Sequence, residues 1–162
     1  MKVLITGGAG YIGSELIEYL LPRFDVTVVD NLMYDASSLL RYTQNPRFKF
    51  VRADIRDLKT LKKLLDSHDI IIPLAALVGF PLCDRDPRGA HEINFEVNQW
   101  IADTKSDDQL VIYPCTNSGY GVSRDGSVCT EESPLNPVSL YGKTKVAAEG
   151  AYKNVENHVT FR

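Results

Sequence analysis

The first thirteen residues constrain the fold most, because an apolar strand pattern runs there into closely spaced glycines and then into a helix pattern. Residues 3–5 are Val-Leu-Ile, a short apolar run of the kind that forms a strand buried on both faces. Residues 14–21 place leucine and isoleucine at helical spacing. This order of buried strand, tight turn and helix predicts the first unit of a parallel α/β sheet. The glycines between strand and helix are Gly7, Gly8, Gly10 and Gly13.

These glycines fit two related spacings that bind dinucleotides. Gly8, Gly10 and Gly13 match G-x-G-x-x-G, and Gly7, Gly10 and Gly13 match G-x-x-G-x-x-G. In either spacing, glycine allows the tight turn and lets the backbone approach a pyrophosphate, while free N–H groups at the helix start attract the anion. Glycine-rich turns also occur wherever a strand meets a helix, so the turn alone decides little.

A second strand pattern, residues 24–30, ends in Asp30, twenty residues after Gly10. A carboxylate at this point can accept hydrogen bonds from the hydroxyl groups of an adenine ribose. Taken alone, Asp30 is equally a carboxylate at the start of a loop. Because strand, glycines, helix, strand and acid follow one another in register, the sequence predicts dinucleotide binding.

The remainder of the chain alternates strand and helix patterns, with no repeat or linker between them. This alternation predicts one α/β domain over residues 1–162, built on a doubly wound parallel sheet. Further strands are expected at 48–51, 69–74, 109–113 and 158–162, and helices at 37–42, 58–65, 90–101 and 139–155. Pro73 should loosen strand pairing because it has no N–H to donate. Loops are expected at 31–35, 81–87 and 122–137.

Composition excludes several classes of protein. At 162 residues with 44% hydrophobic content, the chain can bury an ordinary core. A formal net charge of -3, with the charges well mixed, gives no footprint for nucleic acid or for a membrane surface. No apolar run approaches the ~20 residues that span a bilayer, and no secretory signal pattern opens the chain, so the cytoplasm is the expected location.

The cysteines and histidines predict neither a disulfide framework nor a metal site. The cysteines are odd in number and show no C-x-x-C spacing. The histidines have no companion ligands at metal-like spacing. We therefore expect reduced thiols and no metal at Cys83, Cys115, Cys129, His68, His91 and His158.

Tyr141 and Lys145 form the strongest catalytic candidate. They are four residues apart in a predicted helix, so both side chains project from one face. A lysine ammonium beside a tyrosine, together with the positive nicotinamide of an oxidised cofactor, would lower the phenol pKa from ~10 toward neutrality and favour a phenolate base. Thr116, at the end of the fifth strand, could hydrogen-bond the same substrate hydroxyl. The alternative is a chance pair, since tyrosine and lysine at this spacing are common on helices.

Taken together, these motifs resemble the extended short-chain dehydrogenases/reductases, the NAD-dependent epimerase/dehydratase group, over essentially the whole chain. The resemblance implies a Rossmann-type sheet, bound NAD, a nucleotide-sugar substrate and a homodimer. The dimer would pair through the helix after strand four and the helix that carries Tyr141. The residues that carry the resemblance are Thr6–Gly13, Asp30–Leu32, Asp54–Asp57, Leu74–Ala76, Asn94, Thr116–Gly121 and Tyr141–Lys145.

The resemblance also implies roles for individual residues. Asp30 and Asn31 would hold the adenine ribose, and Asp54 and Ile55 would lie at the adenine. An asparagine on an apolar helix stripe, such as Asn94, is usually a satisfied polar group, but it could also hold a loop or the cofactor. The expected catalytic residues are Tyr141, Lys145 and Thr116. The expected cofactor contacts are Gly7, Gly10, Tyr11, Ile12, Gly13, Asp30, Asn31, Asp54, Ile55, Leu74, Ala75, Ala76, Asn94, Tyr141 and Lys145.

Two departures from the family pattern shape the expected activity. Sugar dehydratases of this family carry Asp-Glu after the threonine, but Asn117 and Ser118 stand here, so epimerisation is favoured over dehydration. Family members also continue into a carboxyl-terminal substrate domain that this sequence does not include. We therefore expect an amino-terminal portion that is inactive alone. A sugar dehydrogenase or reductase, or an NAD-binding module without activity, are the alternatives.

Overall fold

The computed structural model describes residues 1–34, 37–122 and 128–162, and its centre is a six-stranded parallel sheet in the order β3-β2-β1-β4-β5-β6. This is the strand order of a Rossmann-type doubly wound sheet, so the predicted fold class is confirmed. The strands are β1 (Lys2–Thr6), β2 (Asp25–Asp30), β3 (Phe48–Arg52), β4 (Ile70–Pro73), β5 (Leu110–Pro114) and β6 (His158–Phe161).

Helices connect these strands and cover the sheet. The α-helices are α1 (Tyr11–Leu20), α2 (Leu58–Leu65), α3 (Phe80–Arg85), α4 (Pro87–His91), α5 (Val97–Thr104) and α6 (Leu140–Tyr152). A π-helical segment, Glu92–Glu96, joins α4 to α5, and short 3₁₀ turns lie at Leu40–Tyr42 and Asn117–Tyr120.

The sheet has an apolar core on each face. One face packs against α2, α5 and α6, and the other packs against α1 and the Leu40–Tyr42 turn. Alternate residues of β1 serve the two faces, since Leu4 points to the first, while Val3 and Ile5 point to the second. All three side chains are fully buried, as their apolar run predicts.

The α1 face is less covered over β5 and β6. Ile112 is partly buried on that face, and its register partner Val159 and the next outward residue, Phe161, are exposed. The apolar side chains of β6 on this side therefore meet solvent in residues 1–162.

One predicted element differs from the structure because of prolines. Residues 81–87 were expected to form a loop, and this prediction is wrong, since α3 and the start of α4 occupy them. Pro81 and Pro87 each lie in the first turn of a helix, where the missing N–H has no intrahelical partner to lose. Asp86 then caps α4 by accepting a hydrogen bond from the Gly89 N–H at 2.9 Å.

Other predictions hold with adjusted bounds. The expected helix at 37–42 is only the 3₁₀ turn at Leu40–Tyr42, and the long helix through 90–101 is interrupted by the π-helical segment. Pro73 pairs with β1, but the register of β4 with β5 ends at Ile71, so the expected loosening is present. The loops predicted at 31–35 and 122–137 fall partly on residues 35 and 123–127, which lie outside the described residues.

Gly7→Ala should lower the free energy of unfolding by at least about 1–3 kcal/mol, because its left-handed backbone strains any other residue. Its φ is +70°, and an added Cβ would lie 2.5 Å from the Ala75 backbone. Gly150→Ala is the matched control, since no atom lies within 4 Å of its added Cβ in α6. We expect that variant to gain about 0.5–1 kcal/mol. Urea unfolding followed by circular dichroism measures both, and equal effects would contradict the packing described.

Candidate functional site

A cleft of about 550 Å³ opens at the carboxyl ends of β1, β2 and β4, where the strand order reverses. Open parallel sheets bind ligands at this switch point. Most of the residues predicted to contact a cofactor line it. They are Gly7, Gly10, Tyr11, Ile12, Gly13, Asp30, Asn31, Asp54, Ile55, Leu74, Ala75, Ala76, Tyr141 and Lys145.

The glycine turn forms the floor of the cleft through close backbone packing. Gly7 approaches Ala75, whose N–H donates a hydrogen bond to Thr6 Oγ1 at 3.2 Å. A Cβ on Gly13 would lie 2.5 Å from the Gly8 Cα. Glycine at these positions therefore lets the start of α1 and the segment after β4 close on β1.

The start of α1 offers backbone donors to the cleft. Gly10 is its N-cap residue, and no side chain caps the helix. The first intrahelical bond runs from the Ser14 N–H to the Gly10 carbonyl, so the N–H groups of the preceding turn, residues 11–13, have no helical acceptor. The Tyr11 side chain is 88% exposed, so it does not pack over these N–H groups. The arrangement suits a phosphate anion.

Asp30 ends β2 at the rim of the cleft and organises two backbone segments. Its Oδ2 accepts a hydrogen bond from the Ala9 N–H at 3.0 Å, and its Oδ1 accepts one from the Leu32 N–H at 2.8 Å. Leu32 has a φ of 58°, unusual for a leucine, and the Asp30 bond two residues back supports that turn. The carboxylate keeps lone pairs for further donors.

Asp54 follows β3 and is held by one arginine. Arg56 donates to Asp54 Oδ1 from its backbone N–H at 2.9 Å and from Nε at 3.0 Å, and to Oδ2 from Nη2 at 2.7 Å. These hydrogen bonds hold the pKa of Asp54 below its ordinary value despite partial burial. Arg56 Nη1 also reaches Glu92 at 2.9 Å, which ties this corner of the cleft to the π-helical segment.

Helix α6 delivers Tyr141 and Lys145 to the opposite side of the cleft. Ser139 caps the helix by accepting a hydrogen bond from the Gly142 N–H at 3.1 Å. Gly142 itself packs against the Ser118 carbonyl, where an added Cβ would lie at 3.0 Å. A small residue beside Tyr141 therefore brings the helix close to the loop that follows β5.

Lys145 is a buried cation without an anionic partner among the described residues. It is 5% exposed, and its Nζ lies 4.2 Å from the centroid of the Tyr113 ring, a cation–π geometry. No described residue accepts a hydrogen bond from this Nζ. Burial lowers the pKa of Lys145 to about 8, a shift that the Cys115 thiol partly opposes.

Tyr141 differs from the expectation drawn from sequence. Burial raises the pKa of its phenol, and the nearby Thr116 side chain acts in the opposite direction. Tyr141 and Lys145 do not hydrogen-bond each other in the structure. The expected lowering of the phenol pKa is therefore not produced by these residues of the chain alone.

Two predicted site residues lie behind the cleft surface. Thr116 begins the Asn117–Tyr120 turn, where its Oγ1 accepts a hydrogen bond from the Ser118 N–H at 3.2 Å. Asn94 is fully buried in the π-helical segment and does not line the cleft. Its amide accepts from the Leu77 N–H at 2.8 Å and donates to the Leu77 carbonyl at 3.0 Å. Asn94 therefore holds the loop after β4, the structural role left open by the sequence.

Several lining residues escaped the sequence analysis. Met33 and Tyr34 are exposed beside Asp30, and Cys115 lies between Thr116 and the sheet. Residues 31–34 have no hydrophobic period, so only their position directly after Asp30 could have indicated them. For Cys115, the signal was its position directly after β5 and next to Thr116.

Neither a membrane-spanning helix nor a metal cluster is present among the described residues. Among residues 1–34, 37–122 and 128–162, no helix combines the length and apolar character that crossing a membrane requires. Within the same residues, no group of three His, Cys, Asp or Glu side chains is placed to hold a metal ion.

The chain is similar to sugar-nucleotide enzymes. A family model described as the NAD dependent epimerase/dehydratase family matches residues 3–161. A dTDP-glucose 4,6-dehydratase of Actinoplanes sp. is 41% identical, over 92% of this chain and 50% of its own. UDP-glucose 4-epimerase 2 of Oryza sativa is 32% identical, over 94% of this chain and 40% of its own. The chain thus spans about half the length of the curated relatives it matches, or somewhat less.

A solved structure shows the same architecture. The UDP-glucuronic acid 4-epimerase of Bacillus cereus, in complex with UDP-glucuronic acid and NAD, superposes with a TM-score of 0.88 at 29% sequence identity. The match covers 100% of this chain and 56% of that chain.

Lys145→Met should raise the free energy of unfolding at pH 7 by on the order of 2–3 kcal/mol, since it removes a buried unpaired charge. The pKa of Lys145 is about 8 in the folded chain and 10.5 ordinarily, so the unfolded chain binds more protons between these values. Wild-type stability therefore rises with pH across this window, and the advantage of the variant should vanish by about pH 10.5.

Urea unfolding at several pH values measures this difference. Lys143→Met is the control, because Lys143 is an exposed residue of the same helix. An advantage of Lys145→Met that does not change between pH 7 and pH 10 would show that titration of this lysine is not its cause.

Proposed function

The chain belongs to the NAD-dependent epimerase/dehydratase family, and from that premise we propose that it is the cofactor-binding part of a nucleotide-sugar epimerase. One observation carries the proposal: the glycine turn, Asp30, Tyr141 and Lys145 all line one cleft at the switch point of the sheet. A dinucleotide site and an acid–base pair thus face the same space.

The residues along the cleft follow the order of the chemical groups in NAD. Gly10 leaves its backbone open to the cleft, because an added Cβ there would meet only the Gly7 carbonyl, at 3.3 Å. The N–H groups that begin α1 would hold the pyrophosphate. Asp30 and Asn31 would hold the adenine ribose, and Asp54 and Ile55 the adenine. Bound NAD would supply a hydride acceptor that can return the hydride.

The proton chemistry falls to three residues of the chain. The Tyr141 phenol oxygen would take the proton of a sugar hydroxyl and later return it. Thr116 would share that hydroxyl, and its side chain favours the ionised phenol. The Lys145 ammonium would add positive charge near both the phenol and the nicotinamide ribose. The positive charge of oxidised nicotinamide would complete the lowering of the phenol pKa.

Epimerisation is proposed over dehydration because the two positions directly after Thr116 carry no carboxyl group. Elimination of water requires an acid and a base near the sugar, and Asn117 and Ser118 supply neither at the two positions after Thr116. Both residues are exposed in the Asn117–Tyr120 turn, and the Ser118 carbonyl packs against Gly142, the residue after Tyr141.

Two further parts of the proposal concern the binding of the sugar and the pairing of two subunits. Relatives about twice as long support a substrate-holding part outside this chain, so we infer that residues 1–162 bind NAD but do not turn over a sugar alone. We also propose a cytoplasmic homodimer paired through α5 and α6. Phe95 in the π-helical segment and Trp100 in α5, which are both half-buried, support that face.

The chain should bind NAD more tightly than NADP by roughly tenfold or more, since the Asp30 carboxylate accepts from a ribose 2′-hydroxyl and repels a 2′-phosphate. Calorimetric titration with each cofactor measures the ratio of dissociation constants. Asp30→Asn should reduce the ratio, while Asp25→Asn, at the exposed start of the same strand, should not. Equal affinities in the wild type would remove Asp30 from the proposed site.

In the whole protein, Tyr141→Phe should reduce turnover by ~10²–10⁴-fold and leave NAD affinity nearly unchanged, because only the proton acceptor is lost. Tyr19→Phe, on the exposed face of α1, is the matched control. Chromatography of UDP- and dTDP-sugar reactions identifies the products. Epimers formed without loss of water or net NADH support the proposal.

Each other outcome of this assay contradicts the proposal in a defined way. A keto-deoxy sugar would indicate a dehydratase, and accumulation of NADH would indicate a dehydrogenase. No turnover of any sugar by the whole wild-type protein would indicate an NAD-binding module without activity.

A further inference from the structure

Helix α6 carries a buried carboxylate that the proposed chemistry does not use. Glu149 lies one turn beyond Lys145 and two turns beyond Tyr141, so the three side chains share one side of the helix. The Glu149 side chain is only 2% exposed. A charge buried to this degree must be paired, or the group becomes neutral.

Arg162 is the partner of Glu149. Its Nε donates to Glu149 Oε2 at 3.0 Å and to Oε1 at 3.2 Å, and its Nη2 donates to Oε1. Its Nη1 donates to the Glu131 carbonyl at 2.7 Å. Burial would raise the pKa of Glu149, but the hydrogen bonds from Arg162 outweigh it and lower the pKa. Glu149 is therefore an anion held toward the end of β6.

The same region holds a cation with no anion of its own. Lys145 and Glu149 are four residues apart on the helix, a spacing at which lysine and glutamate can pair. Both side chains are buried, and the Cys115 thiol donates to the Lys145 backbone carbonyl at 3.6 Å. In the structure, however, Lys145 Nζ rests on the Tyr113 ring, and Glu149 points to Arg162.

The other cation near Glu149 is a weak competitor. Lys153 Nζ lies 3.5 Å from Glu149 Oε1, but its side chain is 56% exposed. Attraction between two buried charges is stronger than attraction to a solvated one, because the interior has a lower effective dielectric constant. Without Arg162, the Glu149 carboxylate would therefore turn to Lys145.

We propose that Arg162 is a positioning residue of the active site: it holds Glu149 away from Lys145, so that the Lys145 ammonium stays available to Tyr141 and the cofactor. The catalytic role of the Lys145 ammonium rests on the proposed function, whereas the pairing of Arg162 with Glu149 does not. The titratable and charged groups facing this pair are Tyr113 from β5, Cys115 directly after that strand, Tyr141 from α6, Lys153 directly after that helix, and Tyr120 from the turn after β5.

The experiment titrates Lys145 directly in the cofactor-free chain by carbon NMR of the lysine Cε atoms, with Lys145→Arg to identify the signal. Arg162→Gln should raise the Lys145 midpoint by at least about one pH unit, because a carboxylate joins the ammonium. Arg162→Gln combined with Glu149→Gln should restore the wild-type midpoint. An unchanged midpoint in Arg162→Gln, or a raised one that persists in the double variant, would overturn the inference.

Two controls separate positioning from general damage. Arg162→Lys keeps a cation beside Glu149, and Lys153→Gln removes the exposed one, so neither should move the Lys145 midpoint. If Arg162→Gln fails to fold, the Lys145 midpoint in the single variant Glu149→Gln provides the test. An unchanged Lys145 midpoint in that variant supports the inference, and a lowered one shows that Glu149 already acts on Lys145 and overturns it.

NAD affinity of the wild type is measured separately. Failure to bind NAD would count against the proposed function and would leave the lysine titration intact as the test of Arg162.

Discussion

The close approach of the Gly7 turn to the segment after β4 is the constraint on which the site depends. β1 lies at the centre of the sheet, paired with β2 on one side and β4 on the other. The cleft lies above the ends of these strands, so its shape depends on how closely the segments after β1 and β4 pack. Gly7 meets the Ala75 backbone at a distance that no side chain could occupy. The Gly7 N–H and the Leu74 N–H then bond to neighbouring strands at 2.8 and 3.0 Å. Glycine thus joins the two halves of the sheet.

Buried polar groups extend this constraint to the catalytic side. Asn94 satisfies both backbone groups of Leu77 and donates to Thr144 Oγ1 at 3.3 Å, beside Lys145 in the chain. Tyr113 donates to the Lys145 carbonyl at 3.2 Å. Each of these bonds links a different element to α6. The helix is therefore fixed by paired polar atoms as well as by its apolar face, which sets Tyr141 and Lys145 against the cleft.

The sheet and most of the cleft could be predicted from sequence because local patterns determine them. Alternating strands and helices, the glycine spacing and the acid at Asp30 each follow from neighbouring residues. Contacts between distant residues could not be predicted in this way. The pairing of Glu149 with Arg162 and the absence of a hydrogen bond between Tyr141 and Lys145 arise only when helix and sheet pack. The loop predicted at 81–87 was wrong because proline, as at Pro81 and Pro87, is favourable in the first turn of a helix as well as in a loop.

The π-helical segment at Glu92–Glu96 has a consequence for how this region tolerates change in length. It holds one residue more than an α-helical turn would, so deleting one residue there would restore a regular helix. The residues on its two sides would then rotate relative to each other by about 100°. Val97 and Ile101 would leave the core, or Asn94 would leave Leu77. Lengths at this point of the chain are thus fixed by geometry, although every residue there could remain helical.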